Sequence, residues 1–448
     1  MRRLWDKDLP LDALVHRFTV GDDPVVDLAL VEYDAIGSAA HAQGLSHAGL
    51  LAGDALLALL GSLAGIAQDA RAGAFRITPE QEDCHTAIEH RLTAETGDPG
   101  KRIHLGRSRN DQVQTALRLW QRDELFALVD AVADLGEALL AFAEDNRDIP
   151  WPGYTHMRRA MPSSAAQWAS AFAEGLVEEL EAAIGIYRRL DQCPLGAAAG
   201  FGVPLPLARE HTAALLGFSR VQRSTIDVQN ARGRHEFALT GWLASLSLTL
   251  EKLCWDVALF STEEFGFLTL PDEFTTGSSI MPQKRNPDVI ELARAGCRRL
   301  RARHALISEL AGGLPSGYHR DLQLLKAPLF EAVKDASLLL RILAHVVRGL
   351  RVDGARTHAA DTDELYAAHE ACRRVAHGDA FRDAYRAVAA ELSAGTFRPD
   401  RAALASDHVG GLDNLQLAGT ATDLRAAHAA FSAPRTHVSH CLSVIFNG

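Results

Sequence analysis

Lysine is scarce in this chain of 448 residues: only six of its 46 basic residues are lysines, and the others are arginines. A lysine inside a motif is therefore informative, because its ammonium is a compact point charge that a planar guanidinium does not replace. Acidic residues outnumber basic ones, giving a formal net charge of −11. That balance excludes a general binder of nucleic acid or membrane surfaces, which needs a basic surface.

Paired cysteines and long apolar runs are also missing. The six cysteines are widely spaced and none belongs to a C-x-x-C pair, so we interpret them as reduced, mostly buried thiols of a cytoplasmic protein. Residues 1–8 lack the apolar stretch of a signal peptide, and no run of about 18 apolar residues predicts a membrane span. Because there is no glycine-rich nucleotide fingerprint and no metal-ligand spacing of His and Cys, neither a cofactor nor a metal is expected.

Aromatic residues make up only 6% of the chain, whereas Ala, Leu and Arg, all strong helix formers, are abundant. Apolar residues recur at helical spacing from 110 to 146, which is much longer than the average globular helix. Further long helices are predicted at 163–189, 234–262, 287–310 and 321–350. No alternation typical of β-strands and no internal repeat is found, so the expected fold is all-α.

Three helical domains are predicted along the chain. An N-terminal domain covers 1–106, a central long-helix bundle with the catalytic segments covers 107–352, and a C-terminal domain covers 353–448. Shorter helices are predicted at 27–42, 51–70, 361–377 and 379–394. The helix from 234 to 262 is apolar on much of its circumference, which favours packing between subunits and hence a homo-oligomer.

The most informative segment reads TGSSIMPQKRNPDVIE from 276 to 291. Asn286 is predicted to cap the helix that follows, with Pro287 at the first helical position. A helix N-terminus flanked by Lys284 would hold a carboxylate well. Taken alone, the segment is explained equally well as a plain loop that precedes a capped helix.

This segment resembles the signature of the fumarase/aspartase superfamily, Gly-Ser-Ser-x-x-Pro-x-Lys-x-Asn-Pro. Three other segments resemble, in the right order, those of the argininosuccinate lyase branch. They read GKRIHLGRSRNDQV at 100–113, PGYTHM at 152–157, and GLPSGY at 313–318 followed by DLQ at 321–323 and Lys326. Four ordered matches are very improbable by chance.

The resemblance implies a carbon–nitrogen lyase that releases fumarate from an N-substituted succinate by β-elimination, most directly argininosuccinate to arginine and fumarate. Ser278 would remove the proton next to a carboxylate, and Lys284 and Asn286 would stabilise the negative charge that develops. His156, paired with Glu291, would protonate the leaving nitrogen.

The resemblance also implies a set of residues that hold the substrate carboxylates and complete the pocket. These are Ser108, Arg109, Asn110, Thr155, Tyr318, Gln323 and Lys326. In the family each active site collects segments from three subunits of a homotetramer, so a tetrameric multi-helix core is expected as well.

Some motif residues also have a plainer interpretation. Instead of a role in the site, His156 could be a hydrogen-bonded structural histidine in a turn, and Tyr318 could be a packing residue. Arg107 is interpreted either as a surface or subunit-interface charge or as part of the site. His85, which lies in another family segment, is either a structural histidine or a supporting residue of the site.

The chain departs from the family at several places. The family usually has Gln where this chain has Arg158 and Met161, and Ser-x-Arg-Asp where it has NARGRHE at 230–236. Near the N-terminus the family has Asn-Ala-Ser, whereas this chain has TVGDD at 19–23, around Gly21, which resembles a short insertion. The usual Trp-Gly-Gly-Arg-Phe start is also altered, at 4–7.

These departures leave the elimination residues intact and change those that recognise the group on nitrogen. One alternative is therefore a specialised relative acting on another nitrogen-bearing succinate, for which Arg158 would suit a more anionic leaving group. A second is a crystallin-like structural protein, since fold alone does not establish function. The presence of both Ser278 and His156 argues against the second alternative.

Overall fold

The computed structural model describes residues 12–447, and eighteen α-helices lie in that range. The predicted all-α fold is confirmed, and the altered start at 4–7 lies outside the described residues. The helices are α1 (Ala13–Val20), α2 (Asp23–Val26), α3 (Val31–His47), α4 (Gly53–Arg71), α5 (Cys84–Thr96), α6 (Asp98–Arg102), α7 (Arg109–Asp145), α8 (Ala165–Leu190), α9 (Arg209–Leu215), α10 (Thr225–Asn230), α11 (Arg234–Phe260), α12 (Asp288–Ala311), α13 (Lys326–Gly349), α14 (Gly354–Ala360), α15 (Ala367–Ala376), α16 (Phe381–Ser393), α17 (Leu417–Ala429) and α18 (Ser432–Ser443).

The five predicted long helices are confirmed as α7, α8, α11, α12 and α13. The first of them, α7, has 37 residues and begins at a capping box: the Ser108 hydroxyl accepts from the Asn110 N–H, and the Asp111 carboxylate accepts from the Ser108 N–H. The main difference is at α13, where the predicted start at 321 is a 3-10 helix, Arg320–Leu325, and the α-helix begins only at Lys326.

The prediction that the chain contains no strands was wrong in detail. Three small antiparallel sheets lie between the helices, each of two strands. The strands are β1 (Pro150–Thr155), β2 (Arg158–Ser164), β3 (Leu268–Thr269), β4 (Thr276–Gly277), β5 (Arg285–Asn286) and β6 (Arg351–Val352). The longest pair, β1 and β2, contains three prolines, one glycine and a register shift, so it lacks the regular alternation that predicts a strand.

One hydrophobic core runs through most of the molecule, from Leu30 to Ile445. The long helices pack against one another, and α17 packs against both α7 and α8. At the contact with α17, Gly136 of α7 has no side chain, and a Cβ there would lie only 2.7 Å from Leu424. The last helices therefore share the core of the bundle, and the division into three domains remains a proposal.

The helices bear on the prediction of no membrane span, and the cysteines on the prediction of buried thiols. Between residues 12 and 447, no helix combines the length and the apolar character that crossing a membrane requires. All six cysteines are free thiols, and four of them are buried. The cysteines thus match the interpretation that they are reduced and mostly buried.

A buried histidine on α3 links stability to pH. The Nε2 of His41 donates to the Leu105 carbonyl oxygen at 2.8 Å. Burial, reinforced by the charge of Arg107, lowers the pKa of His41 to about 3. In the unfolded chain a histidine titrates near pH 6.5, so between these two values the unfolded state binds more protons. This residue therefore makes the protein lose stability as the pH falls through that window.

We expect His41→Gln, which retains a donor for Leu105, to remove this loss. When the pH is lowered from about 7.5 to about 5.5, the free energy of unfolding of the wild type should fall by about 1.4 kcal/mol more than that of His41→Gln. Urea unfolding of both proteins at the two pH values measures the difference. The same decrease in both proteins would contradict the assignment of a neutral, buried His41.

Candidate active site

A cavity of about 170 Å³ lies where the N-terminal helices meet the starts of α7 and α13. The structure brings five of the predicted substrate-binding residues to its wall. These are Arg109, Asn110, Tyr318, Gln323 and Lys326. Segments more than 200 positions apart in the sequence are therefore close together in one chain.

The start of α7 is held firmly at this cavity. Ser108 caps the helix, and one oxygen of Asp111 accepts from the backbone N–H groups of Gly196 at 3.0 Å and Ala198 at 2.7 Å. Burial raises the pKa of Asp111 to about 6, against the opposing effect of these hydrogen bonds. The first turn of α7, which carries Asn110, is thus fixed relative to the loop at 196–198.

The ammonium of Lys326, the first residue of α13, is already paired inside the chain. Its Nζ lies 2.5 Å from an oxygen of Asp27 and 2.9 Å from one of Asp23. Burial lowers the pKa of Lys326, but the two carboxylates outweigh burial and raise it. Burial in turn raises the pKa of Asp23 to about 6, although Lys326 opposes the shift. The pair therefore connects the N-terminal helices to the central bundle.

Gln323 and Arg109 also have partners within the chain. The side-chain amide of Gln323 donates to the carbonyl oxygens of Thr19 at 3.1 Å and Val20 at 3.3 Å. The guanidinium of Arg109 lies 3.4 Å from Asp83 and donates to the Thr86 hydroxyl. These residues consequently support the shape of the cavity as well as facing it.

Acidic side chains form a part of the cavity that the sequence analysis missed. These are Asp23, Asp27, Glu82 and Asp83. They face the same space as Arg109 and Lys326, so the cavity carries both signs of charge. Two signals were present in the sequence: Asp23 lies in the TVGDD departure, and Glu82 and Asp83 lie in the family segment around His85. An acidic residue at a helix start is, however, usually explained by the helix dipole or by capping.

The departure at 230–236 has a structural explanation. Gly233 has φ +92°, and a Cβ there would lie 2.7 Å from the Cβ of Ala311, so glycine suits this position. Glu236 caps the start of α11 by accepting from the Gly233 N–H at 2.7 Å. The preceding Arg232 is buried, lines the cavity and lies over the Tyr318 ring, 5.3 Å from its centroid. Tyr318 therefore both packs against a cation and faces the cavity.

A buried polar network supports the cavity from behind. The Nδ1 of His85 lies 2.6 Å from an oxygen of Asp34. Burial lowers the pKa of His85, but Asp34 outweighs burial and raises it. The interpretation of Arg107 as a surface charge is wrong, because its side chain is buried and donates to the Ser38 hydroxyl at 2.8 Å. His85 fits the interpretation as a structural histidine, although it also reaches the cavity wall.

Among residues 12–447, one group of three potential metal ligands is compact enough to share an ion: Asp34, Cys84 and His85. All three are buried. The Asp34 carboxylate is already engaged by His85 and by the side-chain amide of Gln112 at 2.8 Å. These hydrogen bonds explain the cluster as part of a buried polar network.

Thr155 and His156 lie at the exposed tip of the β1–β2 hairpin, away from the cavity. Thr155 pairs with Arg158, and the two residues between them, His156 and Met157, have φ of +52° and +60°. A two-residue turn of this kind matches the twist of a hairpin but costs about 1–2 kcal/mol for each residue other than glycine. The base of the hairpin is anchored by Trp151, which is buried among aromatic rings. The turn thus presents the imidazole at the end of a rigid support.

Ser278 lies on the loop between β4 and β5 and is half-buried. Its Oγ accepts from the backbone N–H groups of Met281 at 3.1 Å and Ile280 at 3.4 Å. Donors aimed at this oxygen stabilise negative charge on it. The loop therefore supplies part of what a serine needs in order to act as a base.

The predicted cap of the next helix was placed one residue too early. Asn286 pairs with Thr276 across β4 and β5, so it is extended rather than capping. Pro287 occupies the cap position and α12 begins at Asp288. The Asp288 carboxylate accepts from the Thr276 hydroxyl, which joins the start of the helix to the base of the loop.

The predicted catalytic residues lie on two separate segments: four of them lie on or just after the β4–β5 loop, and His156 lies at the tip of the β1–β2 hairpin. Lys284 and Glu291 are exposed, as is His156. No hydrogen bond or ion pair within residues 12–447 joins the Ser278 loop, the hairpin tip and the cavity to one another. The pairing of His156 with Glu291 therefore remains a prediction.

Comparison with known proteins relates these segments to one family. The model of the Lyase family matches residues 9–301. The argininosuccinate lyase of Stenotrophomonas maltophilia (strain K279a) is 44% identical over 405 residues, covering 90% of this chain and 94% of that protein. That of Parabacteroides distasonis is 41% identical over 440 residues and covers 97% of both. Among solved structures, an EDDS lyase in complex with formate has a TM-score of 0.79 at 23% identity, covering 98% of this chain and 95% of that one, which bears on the fold alone.

Proposed function

The chain belongs to the argininosuccinate lyase branch of the fumarase/aspartase superfamily, and we propose that it splits argininosuccinate into arginine and fumarate in arginine biosynthesis. The observation that carries this proposal is the identity of 44% to an argininosuccinate lyase over 90% of the chain. The mixed charge of the cavity supports it, because argininosuccinate has a cationic guanidinium group beside three carboxylates. The Lys326 ammonium neutralises only one of the two carboxylates of Asp23 and Asp27, and a guanidinium is the kind of group that pairs with the remaining negative charge.

The elimination needs a base on one carbon and an acid at the nitrogen. In our proposal Ser278 removes the proton from the carbon next to a succinyl carboxylate, which becomes an aci-carboxylate. Lys284 and Asn286 stabilise this charge. The carbon–nitrogen bond then breaks and the electron pair leaves with nitrogen, which takes a proton from His156, directly or through water. Glu291 pairs with His156 and orients its imidazole.

The substrate-binding set of this proposal comprises the cavity residues together with the capping serine of α7 and the hairpin threonine. Ser108, Arg109, Asn110 and Thr155 hold carboxylates, and Tyr318, Gln323 and Lys326 complete the pocket. Because Thr155 lies on the hairpin and five of the other residues line the cavity, we propose that this set also comes from more than one subunit.

We propose a homotetramer with composite active sites. The separation of the Ser278 loop, the hairpin tip and the cavity within one chain supports this arrangement. So does an apolar groove of about 540 Å³ between α12 and α13, where Leu292 is 73% and Leu338 61% exposed. Exposed leucines along long helices are typical of faces that pack against another subunit. The same proposal places the enzyme in the cytoplasm, where its free thiols would stay reduced.

A composite site predicts that two inactive variants restore each other. We expect Ser278→Ala and His156→Asn to be inactive alone, whereas tetramers reassembled from a mixture should regain up to about a quarter of the wild-type activity, since some sites receive only intact segments. Refolding the two variants together and measuring fumarate formation tests this. Refolding each variant alone is the control, and a mixture that stays inactive would contradict the composite site.

The direct test of the proposed function is fumarate formation from argininosuccinate, followed by ultraviolet absorbance with purified protein. Growth of an arginine auxotroph that carries this chain is a second measurement. Failure of a folded, tetrameric protein in both would overturn the substrate assignment. It would favour another N-substituted succinate, for which the changes at Arg158 and Met161 would be the first clue.

A further inference from the structure

The tip of the β1–β2 hairpin carries an arginine that the proposed mechanism does not use. The register pairs Thr155 with Arg158 and Tyr154 with Arg159. Residues directly opposite each other in an antiparallel pair point to the same face of the ribbon, and their Cβ atoms are about 5 Å apart. Thr155 and Arg158 therefore share one face, and Tyr154 and Arg159 share the other.

The two faces have different surroundings. Tyr154 packs against the rings of Phe260 and Phe265, with centroids 5.9 and 5.7 Å away. Arg159 donates to the Ala360 carbonyl oxygen at 3.3 Å. That face lies against the body of the protein, so Thr155 and Arg158 point away from it, beside the exposed His156.

Unlike Lys326 and Arg109 of the cavity, Arg158 has no partner within the chain among residues 12–447. Lys326 pairs with Asp23 and Asp27, and Arg109 lies close to Asp83. In contrast, no hydrogen bond or ion pair to the Arg158 side chain is present among residues 12–447. An exposed guanidinium without an internal partner is free to bind an anion, and its planar fork can form two charged hydrogen bonds with a carboxylate.

We propose that Arg158 is a substrate-positioning residue that binds a carboxylate of the succinyl half together with Thr155. The inference rests on the proposed function, in which Thr155 holds a substrate carboxylate. The planar fork of arginine gives two parallel hydrogen bonds to one carboxylate, while the threonine hydroxyl donates a third. The leaving group is served by the acidic cavity residues instead, because they suit a cation.

Fumarate tests this assignment directly, since it carries both succinyl carboxylates and no leaving group. We expect Arg158→Gln to weaken fumarate binding about ten- to a hundredfold, as the loss of charged hydrogen bonds does. Because the contact exists before and during the reaction, KM for argininosuccinate should rise while kcat stays within about threefold. Arg158→Lys keeps the charge without the planar fork, so its affinity for fumarate should lie between those of the wild type and Arg158→Gln.

Calorimetric titration with fumarate and with arginine, on intact tetramers, gives the decisive comparison. Arg159→Gln, on the opposite face, is the matched control and should bind fumarate like the wild type. Weaker arginine binding with unchanged fumarate binding would overturn the proposal and assign Arg158 to the leaving group. Loss of tetramers with unchanged fumarate binding would overturn it in favour of an interface role. Fumarate binding can be measured without turnover. A wild type that is inactive on argininosuccinate would therefore refute the proposed substrate, while the effect of Arg158→Gln on fumarate binding would still decide the role of Arg158.

Discussion

Replacement of Ser278 by alanine is expected to lower kcat for fumarate formation by at least about a thousandfold, as the loss of a reacting hydroxyl does in other enzymes. The Oγ of Ser278 accepts from two backbone N–H groups, of Met281 and Ile280. In the proposed mechanism these donors, together with Lys284 of the same loop, stabilise an alkoxide that alanine cannot form. Steady-state kinetics with argininosuccinate, followed by ultraviolet absorbance, measures the effect.

The neighbouring serine provides the matched control. Ser279 is exposed on the same loop, so Ser279→Ala should retain turnover within about tenfold of the wild type. Fumarate binding by Ser278→Ala should persist, since the hydroxyl acts on the proton rather than on the carboxylates. Undiminished turnover in Ser278→Ala would remove this serine from the mechanism, and equal losses in both variants would point to a general effect on the loop.

Replacement of Lys326 by methionine is expected to lower the free energy of unfolding by about 3–5 kcal/mol, the usual effect of removing one partner of a buried ion pair. The Lys326 ammonium is buried between Asp27 and Asp23. Methionine fills a similar volume but leaves the two carboxylates without their cation. Denaturant unfolding at neutral pH measures the change.

Two comparisons separate charge from packing at this site. Lys334→Met, on the exposed side of the same helix, should change stability by less than about 0.5 kcal/mol. Burial raises the pKa of Asp23, and without the ammonium of Lys326 to oppose this shift, Asp23 takes up a proton in the folded state as the pH falls. The loss of unfolding free energy in Lys326→Met, relative to the wild type, should therefore become smaller as the pH falls. A deficit independent of pH would show that lost packing, not unpaired charge, causes the effect.

The long helices were predictable because their signal is local and repeated. The apolar spacing over 110–146 corresponds to α7 within one residue at each end, and Ser108 and Asp111 mark its start as a capping box. The β1–β2 hairpin was not predictable in the same way. Its prolines and its bulge interrupt the alternation, and the turn at His156 and Met157 uses positive φ without glycine or asparagine, so the usual turn signal is absent.

The candidate site was predictable only in part. The residues of the four motifs could be named because their types and spacing are specific, and five of them line one cavity. The acidic residues could not be named, because Asp27 is 299 positions from Lys326 and nothing local relates the two. The burial of Arg107 was hidden for the same reason, since its partner Ser38 lies on another helix.

The sequence by itself determined the helical class and the long helices, since both depend on local periodicity. Its short motifs predicted the residues of a fumarate-forming elimination through their resemblance to a family. Only the tertiary structure decided which charges neutralise each other and which remain free. It pairs Lys326 with two aspartates and leaves Arg158 without a partner at the hairpin tip. The physical reason is that the energy of a charge depends on its burial and on the groups around it, and packing brings those groups together from distant parts of the chain.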